Sequence, residues 1–292
     1  MTREATGYAG DGGPYAVAHR GGAGLAPENT IAAFGRSYAL GLRFLETDVR
    51  LTADRVAVAF HDAHLARTTG VRGRIGDLTW RQLRPLRVAG EPVPRLEELL
   101  EAFPDARFTI DLKVPRALGP LADAVRACRA IDRVCVAGSA DRVLAEARQR
   151  LGPRVATALG WESLTRLAVA ARTGGRPRGM PDAQFAHVPL RLGRVPVFAD
   201  RLVATAHGLG LRVIVWTVDD PGLMHRLLDA GVDGVITDRP DVLREVLVAR
   251  DAWRPPVPRG ATGVIGVTGV TGAAGACRLD RGPATPGRAA GP

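Results

Sequence analysis

Short apolar runs alternate with amphipathic segments of helical period from Tyr15 to about Arg250. The apolar runs predict strands, and the amphipathic stretches between them predict helices. The predicted strands are Tyr15–His19, Phe44–Leu51, Val56–His61, Arg107–Leu112, Arg133–Ala137, Val155–Leu159, Gln184–Val188, Arg212–Val218 and Val232–Thr237. The predicted helices are Thr30–Leu40, Leu96–Ala102, Gly119–Ala130, Asp141–Leu151, Glu162–Ala171, Phe198–Gly208, Pro221–Leu228 and Asp241–Val248.

Strands that alternate with helices favour a parallel sheet covered by helices. Several strands are apolar throughout, as at 213–216, which is typical of a strand buried on both faces. About eight β/α units suit a closed barrel, so we predict a TIM-type (β/α)8 barrel. An open doubly wound sheet is the alternative, but the glycines at 19–24 lack the spacing of a dinucleotide-binding loop.

Three segments depart from this alternation. Residues 63–94 are rich in Arg, Thr, Gly and Pro, and they predict an insertion after the second strand region of a barrel that spans 14–250. Residues 1–13 predict a loose N-terminal arm. Residues 251–292 predict a disordered tail, because Gly, Ala, Pro, Thr and Arg leave few large apolar side chains to bury.

Composition excludes some classes of function. The net charge is +10, but the arginines are scattered and only 5% of residues are aromatic, so we expect no nucleic-acid partner. No run of about eighteen apolar residues predicts a transmembrane segment. The first fifteen residues lack the apolar stretch of a secretory signal, and we expect a cytoplasmic protein. Cys128, Cys135 and Cys277 lack metal-ligand spacing and are interpreted as reduced structural thiols.

Two carboxylates lie within one apolar predicted strand. Glu46 and Asp48 are two residues apart, so their side chains share a face of that strand. Acids directed together into a barrel mouth repel each other unless a cation lies between them. Because oxygen ligands suit hard divalent ions, the pair predicts a Mg²⁺ or Ca²⁺ site. Ion pairs with the neighbouring Arg43 or Arg50 are the alternative interpretation.

Asp111 and Lys113 share a face at the end of a later predicted strand. A third carboxylate would complete a metal site, and an ammonium would hold a phosphate oxygen. A simple ion pair between the two is the alternative. Lys113 is the only lysine among 40 basic residues, and an ammonium is a compact point charge whereas a guanidinium is a wide fork. This distinction favours a confined functional site.

Two histidines end predicted strands, at the edge where TIM barrels build active sites. His19, followed by Arg20 and glycines, offers a proton-transfer group beside a fixed cation. His61 is followed by Asp62, which either orients the imidazole or begins the loop. Trp216 ends another strand and is interpreted as a wall of the pocket rather than core. The alternative for His19 is a structural hydrogen bond at a strand end.

Other polar residues are interpreted as structural. Asn29 or Thr30 is expected to cap the first helix, and the acids at 219–220 and 233–238 are expected to cap helices and close the last turn. The remaining histidines without evident partners are interpreted as structural or surface residues: His187, His207 and His225.

The motifs, taken in order, resemble the glycerophosphodiester phosphodiesterase family. The match covers about 16–248 and runs through His19-Arg20-Gly21, Pro27-Glu28-Asn29-Thr30, Glu46-Thr47-Asp48-Val49, His61-Asp62, Asp111-x-Lys113, Trp216-Thr217-Val218 and Gly231–Pro240. Each motif alone is weak, but the ordered set is specific. The insertion that follows His61-Asp62 also fits this family.

The resemblance implies metal-dependent hydrolysis of glycerophosphodiesters to an alcohol and glycerol 3-phosphate. The roles it implies are His19 and His61 as general acid and base, Glu46 and Asp48 as metal ligands, and Arg20 and Lys113 as groups near the phosphate. The family usually has glutamate where this chain has Asp111. Because aspartate is one methylene shorter, this difference affects metal affinity and preference more than the reaction class.

Two rival functions use the same residues. A lysophospholipase D or a phospholipase C-like enzyme would need an apolar, membrane-facing surface near the pocket. The insertion offers candidate apolar residues for such a contact: Val71, Ile75, Leu78, Trp80, Leu83 and Leu86. A non-catalytic barrel that binds a phosphorylated ligand is the other rival, but it would have no use for mutually repelling carboxylates. The head group, the metal and the oligomeric state stay open.

Overall fold

The computed structural model describes residues 7–10, 13–192, 195–196 and 201–254. Its strands are β1 Tyr15–Ala18, β2 Phe44–Leu51, β3 Ala57–Ala59, β4 Arg87–Val88, β5 Glu91–Pro92, β6 Arg107–Leu112, β7 Val134–Gly138, β8 Ala156–Thr157, β9 Phe185–Pro189, β10 Arg191–Leu192, β11 Val195–Pro196, β12 Arg212–Trp216 and β13 Gly234–Thr237. From position 255 onward, the predicted disordered tail lies outside the described residues.

Ten helices accompany the strands in the described part of the chain. They are α1 Ile31–Ala39, α2 Ala66–Thr69, α3 Trp80–Leu83, α4 Leu96–Ala102, α5 Leu118–Ala127, α6 Asp141–Leu151, α7 Trp161–Thr173, α8 Leu202–His207, α9 Pro221–Asp229 and α10 Pro240–Ala249. Among the described residues, no helix combines the length and the apolar character that are needed to cross a bilayer.

Eight parallel strands form the barrel, in the order β1-β2-β6-β7-β8-β9-β12-β13. Strand β1 pairs with β13 on one side and with β2 on the other. A parallel bridge between Ala158 and Phe185 joins β8 to β9, and the Leu159 N–H donates to the Phe185 carbonyl at 2.9 Å. The predicted TIM-type barrel is therefore confirmed, and the doubly wound alternative is wrong.

The apolar strands are buried because helices cover their outer face. In β12, Val213, Ile214 and Val215 have no exposed surface. Helix α5 presents Leu121 and Val125 to the same continuous core, which lies between the barrel and its helical layer. This packing explains why alternating apolar and amphipathic segments predicted the architecture.

Aromatic side chains close the N-terminal end of the barrel. Tyr8 is fully buried and packs edge-on against Phe44 and Phe185, which begin β2 and β9, with ring centroids 5.6 and 5.3 Å away. Its hydroxyl lies 2.6 Å from the Thr109 hydroxyl inside the barrel. Residues 7–10 therefore differ from the predicted loose arm, because Tyr8 fills space that the strand side chains leave open.

The insertion after β3 has its own small core. Strand β3 runs antiparallel to β2, and the segment that follows contains α2, α3 and the β4–β5 hairpin. Ile75 and Leu83 are buried in a cluster with Val58 and Phe60, and the partly buried Leu78, Trp80 and Leu86 pack against it. Five of the six apolar residues that were candidates for a lipid-facing surface therefore stabilise the insertion itself.

Candidate active site

A cavity of about 320 Å³ lies at the C-terminal ends of the barrel strands. It gathers all eight residues that the sequence predicted for the site: His19, Arg20, Glu46, Asp48, His61, Asp111, Lys113 and Trp216. Strands β1, β2, β3 and β6, with the turns after them, supply the charged side and the two predicted histidines. The residues that the sequence analysis selected therefore meet at one cavity.

The turn after β1 directs His19 and Arg20 to the cavity. Arg20, Gly21 and Gly22 all have positive φ angles, of 50°, 83° and 95°. A Cβ on Gly22 would lie 2.6 Å from the Ser37 hydroxyl, so only glycine fits where this turn packs against α1. The turn also exposes the Arg20 N–H, which donates to Glu46 Oε2 at 2.8 Å.

Glu46 and Asp48 both point into the barrel, with 5% and 1% of their surface exposed. Burial raises the pKa of Glu46 to about 7, and the adjacent Asp48 carboxylate adds to this effect. Burial also disfavours ionised Asp48, but Lys113 and Arg20 outweigh it and lower the pKa of this carboxyl. Asp48 therefore stays anionic, whereas a nearby cation would stabilise the ionised form of Glu46.

Asn29 holds Asp48 in place from the turn before α1. Its side-chain N–H donates to Asp48 Oδ2 at 2.9 Å, and its carbonyl oxygen accepts from the Thr47 hydroxyl at 2.8 Å. Asn29 is 3% exposed and has φ of 57°, a conformation that asparagine tolerates better than most residues. Thr30, not Asn29, caps α1, since its hydroxyl accepts from the Ala33 N–H.

Lys113 lies between two carboxylates. Its ammonium is 2.8 Å from Asp48 Oδ1 and 2.6 Å from Asp111 Oδ2, where β2 and β6 place Asp48 and Asp111 side by side. Burial alone would lower the pKa of Lys113, but the two acids raise it above its ordinary value. The ion pair with Asp111, which the sequence analysis treated as the alternative, is present together with a second one.

The described residues include no group of three His, Cys, Asp or Glu side chains placed to hold a metal ion. Asp111, the predicted third ligand, accepts a hydrogen bond from the Lys113 ammonium at 2.6 Å. Glu46 and Asp48 nevertheless fit a divalent cation by their chemistry, because two buried carboxylates share one cavity and Glu46 has a raised pKa. Metal ligation by Glu46, Asp48 and Asp111 stays a prediction.

Asp238 orients His19. Its Oδ1 lies 2.8 Å from His19 Nδ1, and Glu46 Oε2 lies 4.0 Å from His19 Nε2. Burial on its own lowers the pKa of His19, but the hydrogen bond to Asp238 and the charge of Glu46 outweigh it and raise the pKa. The sequence analysis interpreted Asp238 as a turn residue, because nothing local indicates a partner so distant along the chain.

Asp62 orients His61 in the same way. Its Oδ1 lies 2.6 Å from His61 Nδ1, and its Oδ2 accepts from Arg67 Nε at 2.5 Å. The hydrogen bond from Arg67 is the main cause that lowers the pKa of Asp62 to about 2. Of the two roles left open for Asp62, orientation of the imidazole is therefore the one that the structure shows.

The other side of the cavity is mostly apolar. Its wall includes Leu159, Trp161, Leu164 and Trp216, so Trp216 lies at the pocket as predicted. His187 also lines this side, and burial lowers its pKa to about 4, which keeps the imidazole neutral. The sequence analysis interpreted His187 as a structural or surface residue; the structure places it in the wall of the cavity, because β9 runs to the same rim as the other strands.

The glycerophosphoryl diester phosphodiesterase family matches residues 19–242. A Mycobacterium tuberculosis protein named as glycerophosphodiester phosphodiesterase 2 is 42% identical over 247 residues, 83% of this chain and 94% of that relative. A lysophospholipase D of Rattus norvegicus is 25% identical, over 79% of this chain and 85% of its own length. A Silicibacter pomeroyi crystal structure described as a glycerophosphoryl diester phosphodiesterase superposes with a TM-score of 0.71 at 26% identity, covering 84% of this chain and 98% of that one.

Proposed function

Because this chain belongs to the glycerophosphoryl diester phosphodiesterase family and is such an enzyme, we propose that it uses two histidines and a divalent cation to hydrolyse glycerophosphodiesters. The products are an alcohol and glycerol 3-phosphate. One observation carries the proposal: His19 and His61 line the same cavity, and a carboxylate lies beside Nδ1 of each imidazole. Arg20 and Lys113 line that cavity as well.

Arg20 is the group best placed to bind the phosphate. Its Nε is buried and has no hydrogen-bond partner among the described residues, although Asp48 Oδ2 lies 3.4 Å away. A buried donor without a partner is costly, and a phosphodiester oxygen would satisfy it. Lys113 adds a second positive charge, which its raised pKa maintains.

The charges of the site call for a cation. When all three are ionised, the carboxylates of Glu46, Asp48 and Asp111 exceed the positive charges of Arg20 and Lys113 by one, and this excess would repel an anionic substrate. A divalent ion, Mg²⁺ or Ca²⁺, would reverse this sign with Glu46 and Asp48 as its ligands and Asp111 as the predicted third. When bound, it would polarise a phosphoryl oxygen.

The two histidines divide the proton transfers. One imidazole takes the proton of the attacking oxygen while the new bond to phosphorus forms, and the other protonates the leaving alcohol oxygen as its bond to phosphorus breaks. Asp238 and Asp62 occupy the Nδ1 sides, which leaves the two Nε2 atoms for these transfers. The attacking oxygen belongs either to water or to a substrate hydroxyl, which would first give a cyclic phosphate.

A kinetic assay tests the catalytic pair. With glycerophosphocholine and added Mg²⁺ or Ca²⁺, release of glycerol 3-phosphate should fall by about 10²-fold or more in both His19→Ala and His61→Ala. His207→Ala is the matched control, since His207 is also paired with an acid, Asp233 at 2.8 Å, but does not line the cavity. Near wild-type turnover in either cavity variant would remove that histidine from the mechanism.

Chelation tests the cation separately. Dialysis against EDTA should abolish turnover, and titration with Mg²⁺ or Ca²⁺ should restore it, because the uncompensated carboxylates repel the substrate. A chelated enzyme that keeps its full rate would refute the cation while leaving the two-histidine chemistry intact.

Lysophospholipase D activity is the second candidate, since the rat relative carries that name. The packing of the insertion's apolar residues into its own core favours the water-soluble diester instead. We therefore expect a higher kcat/KM for glycerophosphocholine than for its acylated counterpart, and the opposite ranking would establish the lipid substrate.

A further inference from the structure

Arg67 connects two separate parts of the active site. It lies in α2 of the insertion and does not line the cavity. Its Nη1 and Nη2 donate to the two carboxylate oxygens of Glu28, at 2.7 and 2.6 Å. Its Nε donates to Asp62 at 2.5 Å. One guanidinium therefore binds one acid through both oxygens and a second acid through its remaining side.

Each of these acids holds a residue of the site. Asp62 lies 2.6 Å from His61 Nδ1, and Glu28 Oε1 accepts from Arg20 Nη1 at 3.1 Å. Continuous polar contacts therefore run from His61 through Asp62, Arg67 and Glu28 to Arg20. These contacts join the residues that follow β1 to the residues that follow β3, and they pass through the insertion.

We propose that Arg67 is a positioning residue that fixes His61 and Arg20 relative to each other. The inference rests on the proposed function in so far as His61 transfers a proton and Arg20 binds the phosphate. The guanidinium holds the Asp62 carboxylate beside His61, so neutral His61 carries its proton on Nδ1 to donate to that carboxylate. The tautomer that leaves Nε2 unprotonated is then the one selected.

Lysine cannot replace this arrangement. An ammonium is a point charge on a flexible stem, whereas the planar guanidinium presents its N–H groups in a fixed fork. Glu28 takes two of these N–H groups and Asp62 takes a third, in different directions. A lysine at 67 would satisfy one acid well and the other poorly, so it should restore only part of the function.

Kinetics of Arg67→Ala and Arg67→Lys test the role. A displacement of reacting groups by about 1 Å can cost 10²-fold in rate, so Arg67→Ala should lower kcat by about 10–100-fold. KM should rise by less, since Arg20 keeps its own contact with Glu28 when Arg67 is removed, and Arg67→Lys should fall between alanine and wild type. Arg154→Ala is the control, because Arg154 is an exposed arginine paired with Asp132 at 2.6 Å.

A double-mutant cycle separates positioning from general stability. In the Asp62→Asn background, Arg67→Ala should lower kcat by a smaller factor than it does in wild type. The reason is that the carboxylate through which Arg67 acts on His61 is already absent. Rates are compared at a temperature at which circular dichroism shows both Arg67→Ala and Arg154→Ala to be folded. Additive losses of kcat, or a wild-type kcat in Arg67→Ala, would overturn the proposal.

The imidazole tautomer gives a readout that needs no substrate. Nitrogen-15 NMR should show His61 with its proton on Nδ1 in wild type and Arg154→Ala, but a mixture of tautomers in Arg67→Ala. His61→Asn assigns the signal. If wild type proves inert toward every glycerophosphodiester, the function fails while this measurement still decides the role of Arg67. An unchanged His61 signal in Arg67→Ala would overturn the inference.

Discussion

Replacing Asn29 should destabilise the fold at the base of the site. Asn29→Ala removes the acceptor of the Thr47 hydroxyl, which is fully buried, and the donor to Asp48 Oδ2. It also leaves alanine at φ of 57°, in the left-handed region. Together with the weaker hydrogen bond from the Asp48 N–H to Asn29 Oδ1 at 3.3 Å, three hydrogen bonds are lost and one backbone penalty is added.

The expected loss is large for a single side chain. An unsatisfied buried hydroxyl costs about 1–3 kcal/mol, and a lost hydrogen bond to a charged group costs about 1.5–3 kcal/mol. The left-handed conformation adds about 1–2 kcal/mol for a residue with a Cβ. Because water can enter the space left by the amide, we expect about 3–5 kcal/mol, at the upper end of single-residue effects.

Urea unfolding followed by circular dichroism measures this loss. Asn29→Gly is the matched control, because it removes the same amide but tolerates the left-handed backbone. It should be about 1–2 kcal/mol more stable than Asn29→Ala, the share assigned to the backbone. An Asn29→Ala variant within about 1 kcal/mol of wild type would refute the claim that this amide supports the buried acids.

Three further outcomes follow from other parts of the structure. Tyr8→Ala should lower the free energy of unfolding by about 3–5 kcal/mol, as for large buried aromatic residues, whereas Tyr8→Phe, which loses only the contact with Thr109, should cost about 1 kcal/mol. Equal effects would contradict the aromatic closure. Cys135 is buried and its pKa is raised, so iodoacetamide should label it only after unfolding, as peptide mapping would show; native labelling would contradict its burial. The pKa of Asp62 lies at about 2, below its ordinary value of 3.8, so its stabilising effect exists above that value and is lost as the pH falls toward 2. Unfolding temperatures of wild type and Asp62→Asn should converge over that range, and a constant difference would refute the linkage.

The fold could be predicted because the barrel imposes a period on the sequence. Strands buried on both faces, such as β12, need apolar residues throughout, and their covering helices need one apolar face. Polar residues that interrupt this pattern within a strand, such as Glu46 and Asp48 in β2, stood out for the same reason. The cavity residues could therefore be predicted from one sequence.

The partners of those residues could not be predicted in the same way. Asp238 meets His19 across 219 positions, and Arg67 meets Glu28 across 39. An acid at a turn or an arginine in an insertion looks like many surface residues, so its type gives no signal. Tyr8 was missed for a related reason, because a tyrosine among glycines shows no period that would indicate burial.

The two adjacent aspartates before α9, Asp219 and Asp220, have different structural roles. Asp220 caps α9, since its side chain accepts from the Leu223 N–H at 2.6 Å. Its neighbour Asp219 instead accepts from the Thr237 hydroxyl and from the Asp238 N–H, both at 2.8 Å. The sequence analysis expected both residues to cap the helix. The contacts of Asp219 with Thr237 and Asp238 instead depend on the pairing of β12 with β13.

These contacts make completion of the barrel a condition for assembling the site. Asp238 follows β13, the last strand, and it reaches His19 only because β13 pairs with β1, the first strand. The Gly24 N–H donates to the Asp238 carbonyl at 2.8 Å, so the turn after β1 is fixed by the same residue. A chain whose first and last strands have not paired lacks the acid partner of His19. His19 therefore acquires its orientation only when β1 pairs with β13, so the geometry at the end of the first strand depends on the last strand of the barrel.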